Sequence, residues 1–233
     1  MKDLDNNLQS SGIEIEDIVK TFYFRTHFSK ELIDGLVTET DEILADDEYI
    51  DYAPNLAGKI YDGIQVKIKE DSYSKASISI LVESIQAISH SFVERYFSKI
   101  ENDKLVGLPP SFRCEINDMW IVSQEAHDYN PPHEHMMKCN LGLSGVVYLK
   151  IPEQIDGESV DGCFHFSWGP DVNFDLLRFR YPDHKTVTPK PGMFLIFPKN
   201  TTHEVFPFRG PGERRCIAFN VNVFPSDGEH WVT

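Results

Sequence analysis

The feature that most narrows the folds open to this chain is a change of pattern at Pro109–Pro110. Beyond that pair, short apolar runs recur at 112–123, 143–151, 162–168, 174–181, 193–197 and 214–224, separated by turns rich in Gly, Pro and Asp. Strands this short, repeated at this spacing, predict an all-β sandwich or barrel. Before the pair the period is helical. Ser29 is a predicted N-cap, followed by Leu32, Ile33, Leu36, Val37 and Leu44 at helical spacing. A second apolar stripe (Ile78, Leu81, Val82, Ile85, Ile88, Phe92, Val93, Tyr96 and Phe97) predicts a helix over 74–98. Residues 13–28, with Ile18, Val19, Phe22, Tyr23 and Phe24, predict a strand, and 46–73, with Pro54, Gly58 and Gly63, a long irregular connection. The expected fold class is mainly β with flanking helices. Residues 1–12 form a disordered lead, 13–110 a helical buttress and 111–226 the β core of a single 1–233 domain.

Charge and cysteine usage restrict the setting. The chain holds 37 acidic and 22 basic residues, a formal net charge of −15. Such a balance favours solubility and disfavours two polyanionic partners, nucleic acid and anionic membrane. Cys114, Cys139, Cys163 and Cys216 form no C-x-x-C pair, so they read as reduced thiols. The opening MKDLDNNLQSSG lacks the apolar run of a signal peptide, and no stretch reads as a membrane span. A cytoplasmic location is the expectation.

Chemistry concentrates in the histidines of the β half: His127, His133, His135, His165, His184, His203 and His230. His133 and His135 stand two apart in YNPPHEH, at a loop-to-strand transition. Residues two apart on a strand share a face, so both imidazoles are expected to meet one point while Glu134 turns away. His203, in FPKNTTHEVFP, follows the strong strand Met193–Phe197. Three protein ligands leave open positions, as a catalytic metal requires. A lone His-x-His is more often surface or core, so the motifs that follow carry the weight.

Those motifs are SGVVYLKIP, DGCFHF, TPKPGMFLIFP, HEVFPF and RRCIAFNV, in that order. Here the chain resembles the Fe(II)/2-oxoglutarate dioxygenases, in their prolyl-hydroxylase-like branch, over roughly residues 112–224. Tyr148-Leu149-Lys150 matches that family's strand after the first metal motif. Asp161-Gly162-Cys163-Phe164 matches its Gly-rich strand, and Pro189 to Phe197 its turn and apolar strand. His203-Glu204-Val205 matches the distal histidine segment. The resemblance implies a double-stranded β-helix and hydroxylation driven by 2-oxoglutarate and O2. It also implies Fe(II) held by His133, His135 and His203. A basic residue after the distal histidine would hold the far carboxylate of 2-oxoglutarate.

Arg214 and Arg215 are adjacent on a strand and so face opposite ways. Ile217, Phe219 and Val221 continue the Arg215 face as an apolar row suited to packing on helices. Arg214, Cys216, Ala218 and Asn220 form a small, polar face suited to a pocket. Arg214 is therefore the expected anchor, since a buried carboxylate needs a paired cation and the guanidinium fork fits it. Tyr148 is expected to offer its hydroxyl to the same carboxylate, and Asn220 to touch substrate near the metal.

The chain departs from the family at His135, where most members carry Asp or Glu. Glu134 through a bulge, or Asp128 from the loop, are the other candidate carboxylates. The expected substrate is a small molecule or a peptide, with a peptidyl proline the first guess from the resemblance. Arg178–Arg180 reads as a solvated strand edge. Two rival readings are a cupin-like metal enzyme that needs no buried Arg at position 214, and a metal-free binding protein on a degenerate barrel.

Overall fold

The computed structural model describes residues 22–100, 111–135, 141–168 and 184–226. The expected lead 1–12, the run 174–181 with Arg178 and Arg180, Cys139 and His230 lie outside these residues, as does 13–21 of the first expected strand. Among the described residues eleven strands appear in chain order: β1 Phe24–His27, β2 Ile50–Asp51, β3 Ile64–Lys67, β4 Phe112–Gln124, β5 Asn130–His133, β6 Gly142–Lys150, β7 Phe164–Ser167, β8 His184–Val187, β9 Met193–Pro198, β10 Thr202–Val205 and β11 Arg214–Pro225. The helices α1 Lys30–Leu44 and α2 Ala76–Ile100 stand near the expected boundaries. Ser29 caps α1 by accepting a hydrogen bond from the Leu32 N–H at 3.3 Å.

The strands form two antiparallel sheets. The larger runs β1-β9-β6-β11-β4-β3-β2 and the smaller β5-β10-β7-β8. The mainly β class with flanking helices is thus the observed one. β11 is the spine of the larger sheet, paired with β4 along one edge and β6 along the other. Its alternate residues serve two separate cores. Ile217, Phe219 and Val221 pack under Ile33 and Leu36 of α1 and Ile78, Leu81, Ile85 and Phe92 of α2. Cys216 and Ala218 join Tyr148, Trp120, Phe164, Phe166 and Phe197 between the sheets. Each fully buried large apolar side chain of this kind stabilises by roughly 1.5–3 kcal/mol.

Three expectations need correction. The stretch 46–73 is not merely irregular: β2 and β3 lie in it, and β3 pairs with β4 from Ile64↔Ser123 to Lys67↔Trp120. A four-residue strand has too little pattern of its own, and its pairing with β4 fixes it. Residues 13–110 are accordingly more than a helical buttress, since they give the larger sheet β1, β2 and β3. Finally, Ala76–Phe97 is long and apolar enough by length and composition to cross a membrane. Here its apolar stripe, Ile78, Leu81, Ile85, Phe92, Val93 and Phe97, is packed in the helix-side core.

Candidate metal centre

One cluster of ligand-capable groups emerges among the described residues: His133, His135 and His203, with ligand atoms all within 4.8 Å of one another. β5 and β10 run side by side, and His203 is the direct cross-strand partner of His133. β5 is an edge strand, which is why Asn-Pro-Pro-His can be a strand at all: the prolines need no ladder donor on the outer side. His135 lies beyond the end of β5, so strand alternation does not aim it. Its backbone N–H donates instead to the Lys199 carbonyl at 2.9 Å, which pulls the segment across to the larger sheet.

The donor atoms are prepared by local hydrogen bonds. Nδ1 of His133 lies 2.7 Å from the Pro131 carbonyl, and Nδ1 of His203 lies 2.9 Å from that of Thr201. A carbonyl only accepts, so both Nδ1 atoms carry the proton and both Nε2 lone pairs are free. Nε2 of His135 and Nε2 of His203 face each other at 3.2 Å. Two nitrogens bound at right angles to one ion, each about 2.1 Å from it, would stand about 3 Å apart. Burial pushes the imidazoles toward the neutral form. His133 is lowered; His135 is brought down to about 4, with His133 adding to the effect and Asn220 opposing it; His203 is held well below the usual imidazole range, with both other rings contributing.

Neither alternative carboxylate points at this cluster. Glu134 is exposed and accepts from Thr202 Oγ1 at 3.3 Å. Asp128 is fully buried and spent on backbone donors: Tyr61 N–H at 2.7 Å, Gly63 N–H at 3.0 Å and Glu125 N–H at 2.9 Å. A Cβ at Gly63 would come within 2.5 Å of Asp128 Oδ2, so the loop meets the carboxylate there only as glycine. The other histidines stand elsewhere. His127 occupies a turn at φ 75, and His165 and His184 stack on each other at 5.4 Å across β7 and β8.

A cavity of about 60 Å³ opens beside the cluster, lined among others by Trp120, Asn130, Tyr148, Phe164, Arg214 and Cys216. Arg214 and Arg215 do face opposite ways. Arg215 lies on the helix side, paired with Asp41 and Glu213, and its Nη1 also donates to Thr40 Oγ1 at 3.2 Å. Arg214 is 2% exposed, and its guanidinium lies 5.2 Å from the Tyr148 ring centroid. Nη1 donates to Gln124 Oε1, Nε has no partner, and no carboxylate among the described residues pairs with the charge. The Tyr148 hydroxyl is likewise buried without a partner, and burial raises its pKa, so it keeps its proton. Asn220 lies on the same inner face beside His135. An unpaired cation, an unpaired hydroxyl and three neutral imidazoles around one cavity fit a dianion chelated to a metal.

Sequence reasoning missed two members of this wall. Gln124 holds Arg214 on one side and donates to Asn130 Oδ1 at 2.9 Å on the other. Trp120 stacks near His135, centroids 6.2 Å apart. Both sit on the inner face of β4, in register with Arg214 and Ala218 of β11. The alternation that sorted β11 would have sorted β4 in the same way.

Residues 118–220 match the family described as 2OG-Fe(II) oxygenase. No curated protein matches the sequence. Among solved structures, the chain is similar to a prolyl-4-hydroxylase from Pseudomonas putida (16% identity, 87% of this chain and 92% of that one, TM-score 0.52). It is also similar to SnoN, a non-heme alpha-ketoglutarate dependent epimerase from nogalamycin biosynthesis (13% identity, 91% and 89%, TM-score 0.57). A third is a prolyl hydroxylase from Trichoplax adhaerens in complex with a hypoxia inducible factor peptide fragment (13% identity, 97% and 94%, TM-score 0.53). At these identities the likeness is one of fold.

Proposed function

We propose, for a chain whose residues 118–220 match the 2OG-Fe(II) oxygenase family, that the protein is such an oxygenase, that His133, His135 and His203 hold the Fe(II) and that Arg214 and Tyr148 receive the far carboxylate of 2-oxoglutarate. The observation that carries this reading is Arg214: a buried guanidinium with no carboxylate of its own, beside a buried hydroxyl with no partner. A cupin-like enzyme without 2-oxoglutarate has no use for that pair. The bound metal and cosubstrate supply the oxidising chemistry that hydroxylates a substrate.

The residues supply position and charge. Pro131 and Thr201 carbonyls fix the tautomers of His133 and His203, so that Nε2 is the donor atom in each. Three neutral imidazoles add no negative charge, so the centre is one unit more positive than with a carboxylate ligand. Gln124 orients the Arg214 guanidinium, and the protonated Tyr148 hydroxyl adds a second donor to the carboxylate. Trp120, Phe164 and Phe197 wall the histidines and keep water away from the reacting atoms. Asn220, beside His135, is placed to touch substrate. Neither nucleic acid nor membrane is indicated as a partner. The similar structures range from a peptide-bound prolyl hydroxylase to an epimerase, so a small molecule and a peptidyl proline are both substrates to test. The free thiols at Cys114, Cys163 and Cys216 support a cytoplasmic setting.

The test is anaerobic addition of Fe(II) and 2-oxoglutarate. The expected result is a weak visible charge-transfer band and a raised melting temperature, the latter also with Mn(II) in place of iron. Absence of both the band and any metal-dependent shift would remove the reading.

A further inference from the structure

Lys199, 6% exposed, is the buried lysine of the described residues. Lys30, Lys67, Lys69, Lys75 and Lys150 each face an Asp or Glu. Lys199 faces none among the described residues. Its Nζ donates to Asn222 Oδ1 at 3.3 Å, and the Asn222 amide is itself committed to Asn117 Oδ1 at 3.1 Å. An ammonium has three donors, so two N–H groups and the charge have no protein partner among the described residues. In a chain with 37 acidic residues against 22 basic ones, a carboxylate for this lysine was easy to supply from within. A buried cation with no carboxylate among the described residues is suited to an anion from outside.

The stem is firmly seated. Lys199 N–H donates to the Gly142 carbonyl at 3.1 Å, and its own carbonyl holds His135. A Cβ at Gly142 would lie 2.9 Å from Lys199 Cδ and 3.0 Å from Cε, so glycine there makes the channel for the stem. The location is as informative as the charge. Val221 and Val223 pack on the helix side, so Asn222 is on the same strand face as Asn220, half-buried at its end. One strand repeat, about 7 Å, separates those two asparagines, and Asn220 stands beside His135. Along β11, Arg214 and the Asn222–Lys199 pair therefore lie on opposite sides of the histidine level. Two buried cations without a carboxylate among the described residues bracket the centre, and 2-oxoglutarate would account for one of them.

We propose, resting on the metal-centre reading above, that Lys199 binds a carboxylate of the substrate. The substrate is then an organic acid or the acidic side chain of a peptide, held with its reacting carbon between Lys199 and the metal.

The experiment compares acids with their amides on wild type, Lys199→Met and Lys199→Arg at constant ionic strength. The probes are N-acetyl-L-glutamate against N-acetyl-L-glutamine, and the capped peptide Gly-Glu-Gly against Gly-Gln-Gly. Melting temperature is read on the metal-free protein and on protein loaded under argon with Fe(II) and saturating 2-oxoglutarate. At least one acid should raise the melting temperature over its amide, with affinity reduced about thirtyfold or more in Lys199→Met and largely kept in Lys199→Arg. The free pair responding alone identifies a small acid; the peptide pair responding alone identifies an acidic side chain. The charge-transfer band should form equally in all three proteins. Acids and amides acting alike, or a difference that survives in Lys199→Met, would overturn the proposal. A missing band with an intact Lys199-dependent response would instead overturn the metal reading and leave the carboxylate site standing.

Discussion

The two faces of β11 handle polar groups in opposite ways. On the helix side, Arg215 is closed off by Glu213, Asp41 and Thr40, and Lys150 joins the same two carboxylates at 3.2 Å each. On the inner side, one residue away, Arg214 Nε is buried with no partner, as is the Tyr148 hydroxyl beside it. Folding alone gives reason to complete the first set and none to leave the second incomplete. Where neighbouring residues on one strand differ this much, the incomplete face marks where the protein expects company.

The sharpest way to break this contrast is to truncate each arginine. Arg214→Ala should weaken 2-oxoglutarate binding by about 3–5 kcal/mol, roughly a hundredfold or more, with Mn(II) binding nearly unchanged. Arg215→Ala should leave 2-oxoglutarate affinity within a few-fold and lower stability by about 1–3 kcal/mol, since Asp41 is half exposed. Titration calorimetry and denaturant melts together decide it, and a reversal of the two phenotypes would invert the faces.

The ligand set is the next point of attack. His135→Ala should abolish succinate formation from 2-oxoglutarate, and Glu134→Ala should retain nearly all of it. His135→Asp restores an oxygen donor suited to Fe(II) and should keep some turnover. Activity in His135→Ala with loss in Glu134→Ala would make the carboxylate the ligand.

Asp128 belongs with the completed groups although it sits next to the site. Asp128→Ala strands three N–H donors, so the expected loss is about 3 kcal/mol of stability. Metal affinity of the molecules that remain folded should change less, which a metal titration well below the melting temperature would show.

The smallest effect separates the faces by pH in the metal-free protein. His135 is lowered to about 4, and His133 and His203 are lowered as well. The unfolded chain takes up protons below about pH 6.5, earlier than the folded one. Stability should therefore fall as pH drops from 6.5 towards 4, by about 2 kcal/mol at pH 5 from His135 alone. Burial works to raise Asp41 and Glu213, but Arg215 and Lys150 outweigh it and hold both carboxyls low. The helix-side contribution is therefore complete above the unfolded carboxylate range and is lost only as pH falls through and below it. Denaturant midpoints at pH 7 and pH 5, with and without His135→Phe, isolate the inner share.

Much of this arrangement could be read from the chain. The alternation in RRCIAFNV assigned Arg214 and Arg215 to opposite faces, and the helical stripe of 74–98 lies close to α2. What stayed hidden was set by partners distant in sequence. β3 is a strand because β4 lies beside it, and Asn-Pro-Pro-His looks like a turn until β10 is placed against it. His135 was assigned to the right cluster for an incomplete reason. A hydrogen bond to residue 199, not strand alternation, holds its backbone, and no local pattern announces such a contact. Lys199 escaped notice because a lysine in a turn reads as solvated until its surroundings are known.

The knot at Asp128 has a consequence for anyone who would trim the protein. The segment 118–220 carries all three histidines, Tyr148 and Arg214, and by sequence it looks sufficient. Two of the three donors that hold Asp128, from Tyr61 and Gly63, come from outside it. Asp128 is five residues before His133 and governs how the chain enters β5. An excised 118–220 fragment would keep every reactive group and lose two of the three donors that hold Asp128 ahead of β5. The smallest independent unit of this protein is thus wider than its signature, and its boundary is drawn by a carboxylate that points away from the three histidines.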